Sequence, residues 1–492
     1  MAAGGLRAED NSLTRGLRSR HLTMISIGGA IGTGLFVASG ETISTAGPGG
    51  ALISYALIGG MVFLLMQSLG EMATYLPVAG SFGEYGSRFV SPSFGFAIGW
   101  NYWFNWAITV AAELSAAALV MKYWFPDLPG WMWSALFLAA LVSLNALSAR
   151  AYGESEFWFA AIKVTTVLLF LALGLAMILG IMGGTSPGLA NWTAGEAPVV
   201  GGGTGVLAVF MVAGFSFQGT ELVGVAAGEA EDPETSVPRA IRTIFWRILL
   251  FYIGAITVIG FLIPYTDPDL LRSGVSDISV SPFTLVFARA GIAAAAGVMN
   301  AVILTSVLSA GNSGLYASTR MLYAMAWRGQ APAFLRRTNR RGVPVPALVA
   351  TTVVGGACLV SSLVGDGNAY VWLVNASGLA GFITWMGIAW SHLKFRRAFA
   401  AQGHDVSELP FRARLYPAGP VIALAMCAVV VFGQGRDALF GEHGFTALIS
   451  SYIGLPLFLG VWGLHKLATR SPGVDPAAAD LTRHTTRAAL RD

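Results

Sequence analysis

The chain has 492 residues, of which 55% are hydrophobic and 11% are charged, and its mean hydropathy is +0.64. Soluble domains carry about 25% charged residues because their surface faces water, so this composition excludes a soluble protein and predicts one dissolved in lipid. The net charge of +4 does not indicate a nucleic-acid partner, because the basic residues follow the loop pattern of a membrane protein.

Long apolar segments dominate the chain. A helix needs about 20 mostly apolar residues to cross the hydrocarbon core of a bilayer, and about twelve segments meet this criterion. They are 22–42, 49–76, 94–122, 131–149, 157–182, 203–227, 244–264, 283–312, 346–364, 370–391, 417–434 and 447–465. We therefore expect an all-α integral membrane domain over 21–465, with polar tails at 1–20 and 466–492.

Lys and Arg concentrate in alternate connections between these spans, which predicts the orientation of the chain. One side collects Arg88, Arg150, Arg239, Arg242, Arg247, Arg320, Arg328, Arg336, Arg337, Arg340, Arg341, Lys394, Arg396, Arg397, Arg412, Arg414 and the basic residues of the C-terminal tail. The other side has Lys122, Arg272, Arg289 and Arg436. Since basic loops stay in the cytoplasm, we expect both termini there.

The first span contains four glycines, Gly28, Gly29, Gly32 and Gly34. Each glycine inside a helix costs about 1 kcal/mol relative to alanine, although glycines can also form a close helix-packing face. The run is denser than such packing requires. We therefore expect an unwound segment, which a membrane tolerates only where it lines a cavity or is buried in protein.

The sixth span carries a polar run, Ser216, Gln218, Thr220 and Glu221, around Gly219. Spans one and six are the first helices of two consecutive five-helix halves, and interrupted helices at corresponding positions predict the midplane site of a transporter. Free N–H groups at a restarting helix suit a carboxylate, and free carbonyls at the end of a half-helix suit an ammonium. A site with both predicts recognition of an amino acid backbone.

Several stretches resemble the amino acid permeases of the APC superfamily. They are 28–36 (GGAIGTGLF), 46–50 (AGPGG) followed by 70–72 (GEM), and 311–323 (GNSGLYASTRMLY). The similarity extends from about His21 to Trp462. Within that family, 99–103, 215–233 and 278–287 are most similar to the bacterial branch that is specific for lysine.

The resemblance implies a LeuT-like fold with two inverted five-helix repeats, about 21–182 and 203–391, and two extra helices at about 417–465. It also implies proton-driven amino acid uptake, a symport by alternating access, in the bacterial inner membrane. The predicted partners are lysine or a similar cationic amino acid, protons and the lipid bilayer, with no cofactor or metal.

The resemblance also assigns roles at the two interrupted helices. Thr33 and Gly34 would bind the substrate carboxylate, and the carbonyls of Ala30, Phe215 and Gln218 would bind its α-amine. Phe215 falls where related permeases place an aromatic lid, although plain core packing is an alternative for this side chain.

Acidic residues within spans are functional candidates, because an ionised group at the bilayer centre costs about 2.5–3.5 kcal/mol on insertion scales. The resemblance aligns Glu113 with the pocket wall that meets the substrate side chain, where a carboxylate would pair with lysine's ammonium. A protonated or helix-bonded Glu113 is the alternative. Glu221 could neutralise the same ammonium, carry the coupling proton or brace the unwound backbone.

Lys163 on the fifth span is a candidate proton-coupling residue. In sodium-coupled proteins of the implied fold an ion lies beside the first-helix break, and a lysine ammonium could take that position and donate to first-helix carbonyls. The alternative is that Lys163 extends its ammonium to the nearby cytoplasmic interface.

Four further residues have weaker indications. Glu71, at the inner end of the second span, suggests an inner gate or a structural hydrogen bond. Tyr102 and Trp106 would lie along the substrate route, although Tyr and Trp also mark membrane interfaces. Glu229 follows the sixth span, and a solvated cytoplasmic loop is its simplest interpretation, with an acidic vestibule for a cation as the alternative.

Other functional classes find less support. The chain has no H-E-x-x-H motif, no nucleotide-binding glycine loop and no clustered histidines, so neither an enzyme nor an ATP-driven pump is expected. The remaining alternatives are a permease for arginine or a neutral amino acid, and a sensor that binds an amino acid without moving it.

Overall fold

The computed structural model describes residues 13, 16–29, 31–36, 38–182, 184–272, 281–292, 294–360, 366–433 and 452–483. Ala30, Arg436 and the first part of the predicted twelfth span lie outside these ranges. The regular structure of the described residues is helical, with one isolated bridge between Leu17 and Ala230.

The α-helices are numbered in chain order. They are α1 Ser19–Gly28, α2 Thr33–Phe36, α3 Ala38–Tyr75, α4 Ser81–Tyr85, α5 Pro92–Met121, α6 Gly130–Leu147, α7 Ala149–Ile178, α8 Ala190–Thr193, α9 Gly202–Ala208, α10 Phe210–Phe215, α11 Leu222–Ala226, α12 Pro233–Arg247, α13 Gly254–Leu262, α14 Pro268–Arg272, α15 Pro282–Arg289, α16 Ala295–Trp327, α17 Val345–Gly355, α18 Asp366–Ala401, α19 Ala418–Gly433 and α20 Gly454–Thr469. A π-helical segment, Ile248–Ile253, joins α12 to α13 without a break.

Six of these helical stretches are long and apolar enough to cross a membrane, namely Ala38–Tyr75, Pro92–Met121, Gly130–Leu147, Ala149–Ile178, Pro233–Leu262 and Ala295–Trp327. Shorter apolar helices occur at Gly202–Phe215, Val345–Leu359 and Ala418–Gly433. The predicted class, an all-α multi-pass membrane protein, is confirmed.

Both predicted helix interruptions are present. The first span stops when α1 ends at Gly28 and resumes with α2 at Thr33. The sixth span stops when α10 ends at Phe215 and resumes with α11 at Leu222. Gly219, in the second interruption, has a φ of 97°, a conformation that is costly for any residue with a side chain.

The predicted eighth span, 283–312, is wrong in two respects: it is not one continuous helix, and its helical structure extends beyond residue 312. Two helices, α15 and α16, replace it, and Gly291 between them has a φ of 83°, which ends the first helix. The second helix continues to Trp327. Arg320, assigned above to a cytoplasmic loop, therefore lies inside a helix.

Helices α5 and α16 pack against each other in the middle of the molecule, and α18 packs along the other side of α5. Most side chains of α5 and α16 are buried. Helix α1 packs between α7 and α12. The broken first span is thus surrounded by protein, which is where an unwound segment is tolerated.

The interpretation of Glu229 as a solvated loop residue is wrong. Its side chain is 1% exposed, and its Oε1 accepts from Arg320 Nε at 2.7 Å and from the Tyr316 hydroxyl at 2.8 Å. The Tyr316 ring stacks on Tyr152 with centroids 3.9 Å apart. The Leu17 amide donates to the Glu229 carbonyl at 3.1 Å, so this cluster joins the N-terminal segment to α16 and α7.

Glu71 makes structural hydrogen bonds, one of the two roles that its position suggested. It is fully buried, and Arg396 of α18 binds it through two nitrogens, Nε at 2.5 Å and Nη2 at 2.9 Å. His392 lies 2.9 Å from Oε1, and the Ala413 amide donates to Oε2 at 2.7 Å. Glu71 therefore joins the end of α3 to α18 and to the connection that follows it.

Replacing Arg320 with Met would leave the Glu229 carboxylate buried without its cation. Removing one partner of a buried ion pair costs about 3–5 kcal/mol, so we expect a marked fall in the melting temperature of the purified protein in detergent. The double variant Glu229→Gln/Arg320→Met removes both charges and should melt closer to the unmodified protein.

The exposed Arg337 provides a matched control, since Arg337→Met removes an arginine that is not buried and should leave the melting temperature unchanged. A double variant less stable than Arg320→Met alone would contradict the ion-pair explanation.

Candidate substrate-binding site

A small cavity of about 30 Å³ lies between the two interruptions. Its lining residues are Gly29, Gly32, Thr33, Gly34, Trp106, Thr109, Glu113, Phe215, Gln218 and Ala310. Six of the predicted site residues are therefore brought together, namely Thr33, Gly34, Trp106, Glu113, Phe215 and Gln218. Thr109 and Ala310 were not predicted, because sequence alone does not show which faces of α5 and α16 meet the cavity.

The unwound part of the first span has its backbone carbonyls bound by side chains from several helices. Lys163 Nζ donates to the Gly28 carbonyl at 3.1 Å, and the Ser306 hydroxyl donates to the Ile31 carbonyl at 2.8 Å. Beyond the break, the Gly34 carbonyl accepts from the Ser216 hydroxyl at 2.8 Å. The first N–H groups of the restarting helix have no partner within that helix, and they begin at Thr33 on the cavity wall.

The two interrupted helices touch directly at Gly34. A Cβ atom on this residue would lie 2.5 Å from Ser216 Cα, a distance that would force the two backbones apart. Ser216 is bound in turn by two tyrosines. The Tyr252 hydroxyl donates to the Ser216 carbonyl at 2.8 Å, and the Tyr55 hydroxyl lies 3.0 Å from the Ser216 hydroxyl. Glycine at position 34 therefore permits the close contact between the first and sixth spans.

Glu113 presents a carboxylate to the cavity. Its side chain is 4% exposed, and its Oε1 accepts a long hydrogen bond from the Thr33 hydroxyl at 3.5 Å. Its Oε2 is buried and has no hydrogen-bond partner among the described residues, and the same holds for the indole N–H of Trp106. Unsatisfied buried polar atoms are rare in folded proteins, and these two lie on residues of the cavity wall.

Lys163 lies beside the end of α1, and its proposed coupling role stays a prediction. Besides the Gly28 carbonyl, its ammonium donates to the Ser309 hydroxyl of α16 at 2.9 Å. The side chain is 0% exposed, so the alternative in which it reaches the interface is wrong. Lys163 is not among the cavity-lining residues.

Glu221 lies behind the cavity and is not one of its lining residues. Its Oε2 accepts from the Gly219 amide at 3.2 Å and from Trp385 Nε1 at 3.1 Å. Of its three predicted roles, these contacts match the bracing of unwound backbone. Gln218 Nε2 donates to the Gly378 carbonyl at 3.0 Å, so both side chains join the sixth-span interruption to α18.

Phe215 is half-buried and lines the cavity, and its carbonyl accepts from the Gln218 amide at 3.1 Å. Tyr102 and Trp106 are buried inside the protein, so the interface-belt interpretation is wrong for both. Tyr102 packs on Phe82 with centroids 4.5 Å apart and does not line the cavity. Ala30 lies outside the described residues, and its carbonyl contact stays a prediction.

The sequence interpretation missed Arg247, which it counted as a loop charge. Its side chain is 1% exposed. The guanidinium donates to the Ser26 carbonyl of α1, and it also donates to the Thr220 hydroxyl, which lies 2.5 Å from Nη2. It therefore joins the first span to the sixth. A signal existed, because Arg247 falls inside the predicted seventh span, and charges inside spans are functional candidates.

Glu156 was also missed. It precedes the predicted start of the fifth span by one residue, whereas α7 begins at Ala149 and buries its side chain. Its Oε2 accepts from the Ser309 hydroxyl at 2.7 Å, and its Oε1 accepts from Asn312 Nδ2 at 2.6 Å. A charged residue at the edge of an apolar segment gives no sequence signal of burial.

Known proteins resemble this chain over nearly its whole length. The family model described as amino acid permease matches residues 21–473. The lysine-specific permease LysP of Escherichia coli (strain K12) is 58% identical over 461 residues, which cover 93% of this chain and 94% of the relative.

Two relatives from Lactococcus lactis subsp. cremoris (strain MG1363) are similarly extensive. Its lysine-specific permease LysP is 51% identical over 481 residues, covering 96% of this chain and 94% of the relative. Its histidine permease HisP is 47% identical over 476 residues, which cover 96% of this chain and 99% of the relative. These relatives are transporters and not enzymes. Together with the interrupted helices and the cavity between them, this similarity shows that the chain belongs to the amino acid permease family.

Proposed function

We propose that this protein takes up lysine together with protons across the bacterial inner membrane. The observation that carries the proposal is the buried Glu113 carboxylate, whose Oε2 lacks a partner among the described residues. The side-chain ammonium of lysine would supply that partner, whereas a neutral amino acid would leave the buried charge unpaired at considerable cost. Two relatives named as lysine-specific permeases support the same substrate.

The substrate backbone would bind at the two interruptions. The amides of Thr33 and Gly34 would hold its carboxylate, and the carbonyls of Ala30, Phe215 and Gln218 its α-amine. Phe215 would cover the bound amino acid from the rim of the cavity. Trp106 on the cavity wall and Tyr102, one turn away on α5, would shape the route.

We also propose twelve spans with a LeuT-like arrangement, in which residues 21–182 and 203–391 are inverted repeats and 417–465 supply two extra helices. The matching interruptions at the first helix of each repeat support this assignment. The tails at 1–20 and 466–492 would both be cytoplasmic. Glu71, bound to Arg396 and His392, would keep the inner ends of α3 and α18 together as part of an inner gate.

Transport requires the site to open. A cavity of about 30 Å³ has room for one or two water molecules, so lysine would enter only when the surrounding helices move apart. The Lys163 ammonium holds the carbonyl at the end of α1. Loss of its proton would weaken that contact and release α1, which would link proton movement to opening of the site. Glu221 would brace the sixth span during this motion.

A cationic substrate other than lysine is the second candidate, and the similarity to a histidine permease favours it. Arginine and histidine can also present a cation to Glu113. A sensor that binds without transport would use the same contacts. Competition and accumulation measurements separate these possibilities.

The direct test is uptake of radiolabelled lysine into proteoliposomes that contain the purified protein. We expect accumulation that depends on an imposed inward proton gradient and that excess unlabelled lysine abolishes, with neutral amino acids competing weakly. Arginine, ornithine and histidine as competitors define the cation preference. Equal competition by a neutral amino acid would overturn the role of Glu113, and binding without accumulation would indicate a sensor.

Glu113→Gln keeps the size of the side chain and removes its charge. We expect the affinity for lysine, measured by binding of radiolabelled lysine in detergent, to fall at least tenfold, which corresponds to about 1.4 kcal/mol. Asp127→Asn, at an exposed carboxylate beyond the end of the same helix, is the matched control and should bind normally. Unchanged affinity in Glu113→Gln would remove this residue from the substrate contacts.

Lys163→Ala should separate accumulation from exchange. Without the ammonium, lysine accumulation against its gradient should be lost, while exchange of internal for external lysine without a proton gradient continues, because Lys163 does not line the cavity. Lys122→Ala, at an exposed lysine, serves as control. Normal accumulation by Lys163→Ala would exclude its coupling role.

A further inference from the structure

A continuous chain of hydrogen bonds leads away from Lys163. Its ammonium donates to Ser309 Oγ at 2.9 Å, and the same hydroxyl donates to Glu156 Oε2 at 2.7 Å. Glu156 Oε1 accepts from Asn312 Nδ2 at 2.6 Å. The Lys163, Ser309, Glu156 and Asn312 side chains are all buried. One hydroxyl group therefore stands between a buried ammonium and a buried carboxylate.

Glu156 differs from Glu229 and Glu71, two other buried carboxylates of the described structure, because no cation binds it directly. Glu229 is bound directly by Arg320 and Glu71 directly by Arg396, and arginine keeps its proton in proteins. The described residues place no Lys or Arg nitrogen within 4.0 Å of Glu156. The cation nearest to it along the hydrogen bonds is a lysine, which loses its proton far more readily than arginine does.

We propose that Glu156 receives the proton that Lys163 gives up during transport, through the Ser309 hydroxyl. This inference rests on the proposed coupling role of Lys163. In the step, an N–H bond of the ammonium breaks and its proton passes to Ser309 Oγ, while the hydroxyl proton of Ser309 passes to Glu156 Oε2. The ammonium becomes a neutral amine and the carboxylate a neutral acid, so no charge is lost or gained.

The position of Glu156 gives the relay a direction. Glu156 precedes Lys163 by seven residues on the same face of α7, which places it about 10 Å nearer the start of that helix. Asn312 Nδ2 also lies 3.2 Å from the hydroxyl of Ser155, which is half-buried. The basic loops assign that end of α7 to the cytoplasm, so the relay carries protons towards the side on which they leave.

The groups that surround Glu156 are consistent with proton transfer. On its own helix, Lys163 and Tyr152 are the titratable groups that act on it. Helix α16 faces it with Ser309 and Asn312, and Asn312 is fixed by Asn145 of α6 at 2.7 Å. Helix α5 contributes Glu113, which acts on Lys163 from the cavity side. Arg320 and Glu229 lie beyond Tyr152 and neutralise each other.

The test compares Glu156→Gln and Ser309→Ala with the unmodified protein in proteoliposomes that contain a pH-sensitive dye. Glu156→Gln cannot accept the proton, and Ser309→Ala removes the bridging hydroxyl. For both variants we expect lysine binding within threefold of the unmodified protein and continued lysine exchange without a gradient. Proton influx per lysine transported should fall at least tenfold.

Glu154→Gln is the matched control, since Glu154 lies two residues away on α7 and pairs with Arg20 and His21 instead of lying on the hydrogen-bond chain from Lys163. Its proton influx should match that of the unmodified protein. Normal proton influx in Glu156→Gln would overturn the relay, and so would loss of binding and exchange together, which would indicate a structural role. If the unmodified protein itself moves no protons with lysine, the proposed coupling fails whatever the variants do.

Discussion

The need to satisfy backbone carbonyls away from water governs the centre of this protein. An interrupted helix inside a membrane has carbonyls that neither solvent nor the helix can bind, and each such group must find a donor in the protein. Lys163 and Ser306 meet this need at Gly28 and Ile31. Arg247 does the same at Ser26. Since the donors come from α7, α16 and α12, the interruption in the first span determines how those three helices are placed around it.

The donors at the break are of two chemical kinds. Arg247 contributes a permanent cation that ties the first span to the sixth through Ser26 and Thr220. Lys163 contributes an ammonium, a group that loses its proton more readily than a guanidinium does. Both donors therefore hold the end of α1, and the contact at Gly28 is the one that would weaken if its donor lost a proton.

The two helix interruptions and the polar residues near them could be predicted from sequence. The residues that bind those side chains could not. The density of glycines and a polar run predicted both interruptions, and the family resemblance predicted that Lys163 would donate to carbonyls of the first helix. Glu71 is bound by Arg396, which is far away along the chain, and no motif near either residue predicts this pair. Arg320 was misplaced because counting loop charges cannot detect a helix that continues past its apolar part. Glu229 was misplaced because the two residues that bind it, Tyr316 and Arg320, lie on that same helix. Arg247 was counted with the loop charges although it lies inside the predicted seventh span.

The contact between Gly34 and Ser216 has a mechanical consequence. The two backbones meet so closely that a side chain at position 34 would overlap Ser216. The first and sixth spans are therefore in contact at this point, and the hydroxyls of Tyr55 and Tyr252 bind the same residue, Ser216, from α3 and from the π-helical segment Ile248–Ile253. A movement of one span that keeps this contact would carry the other span with it.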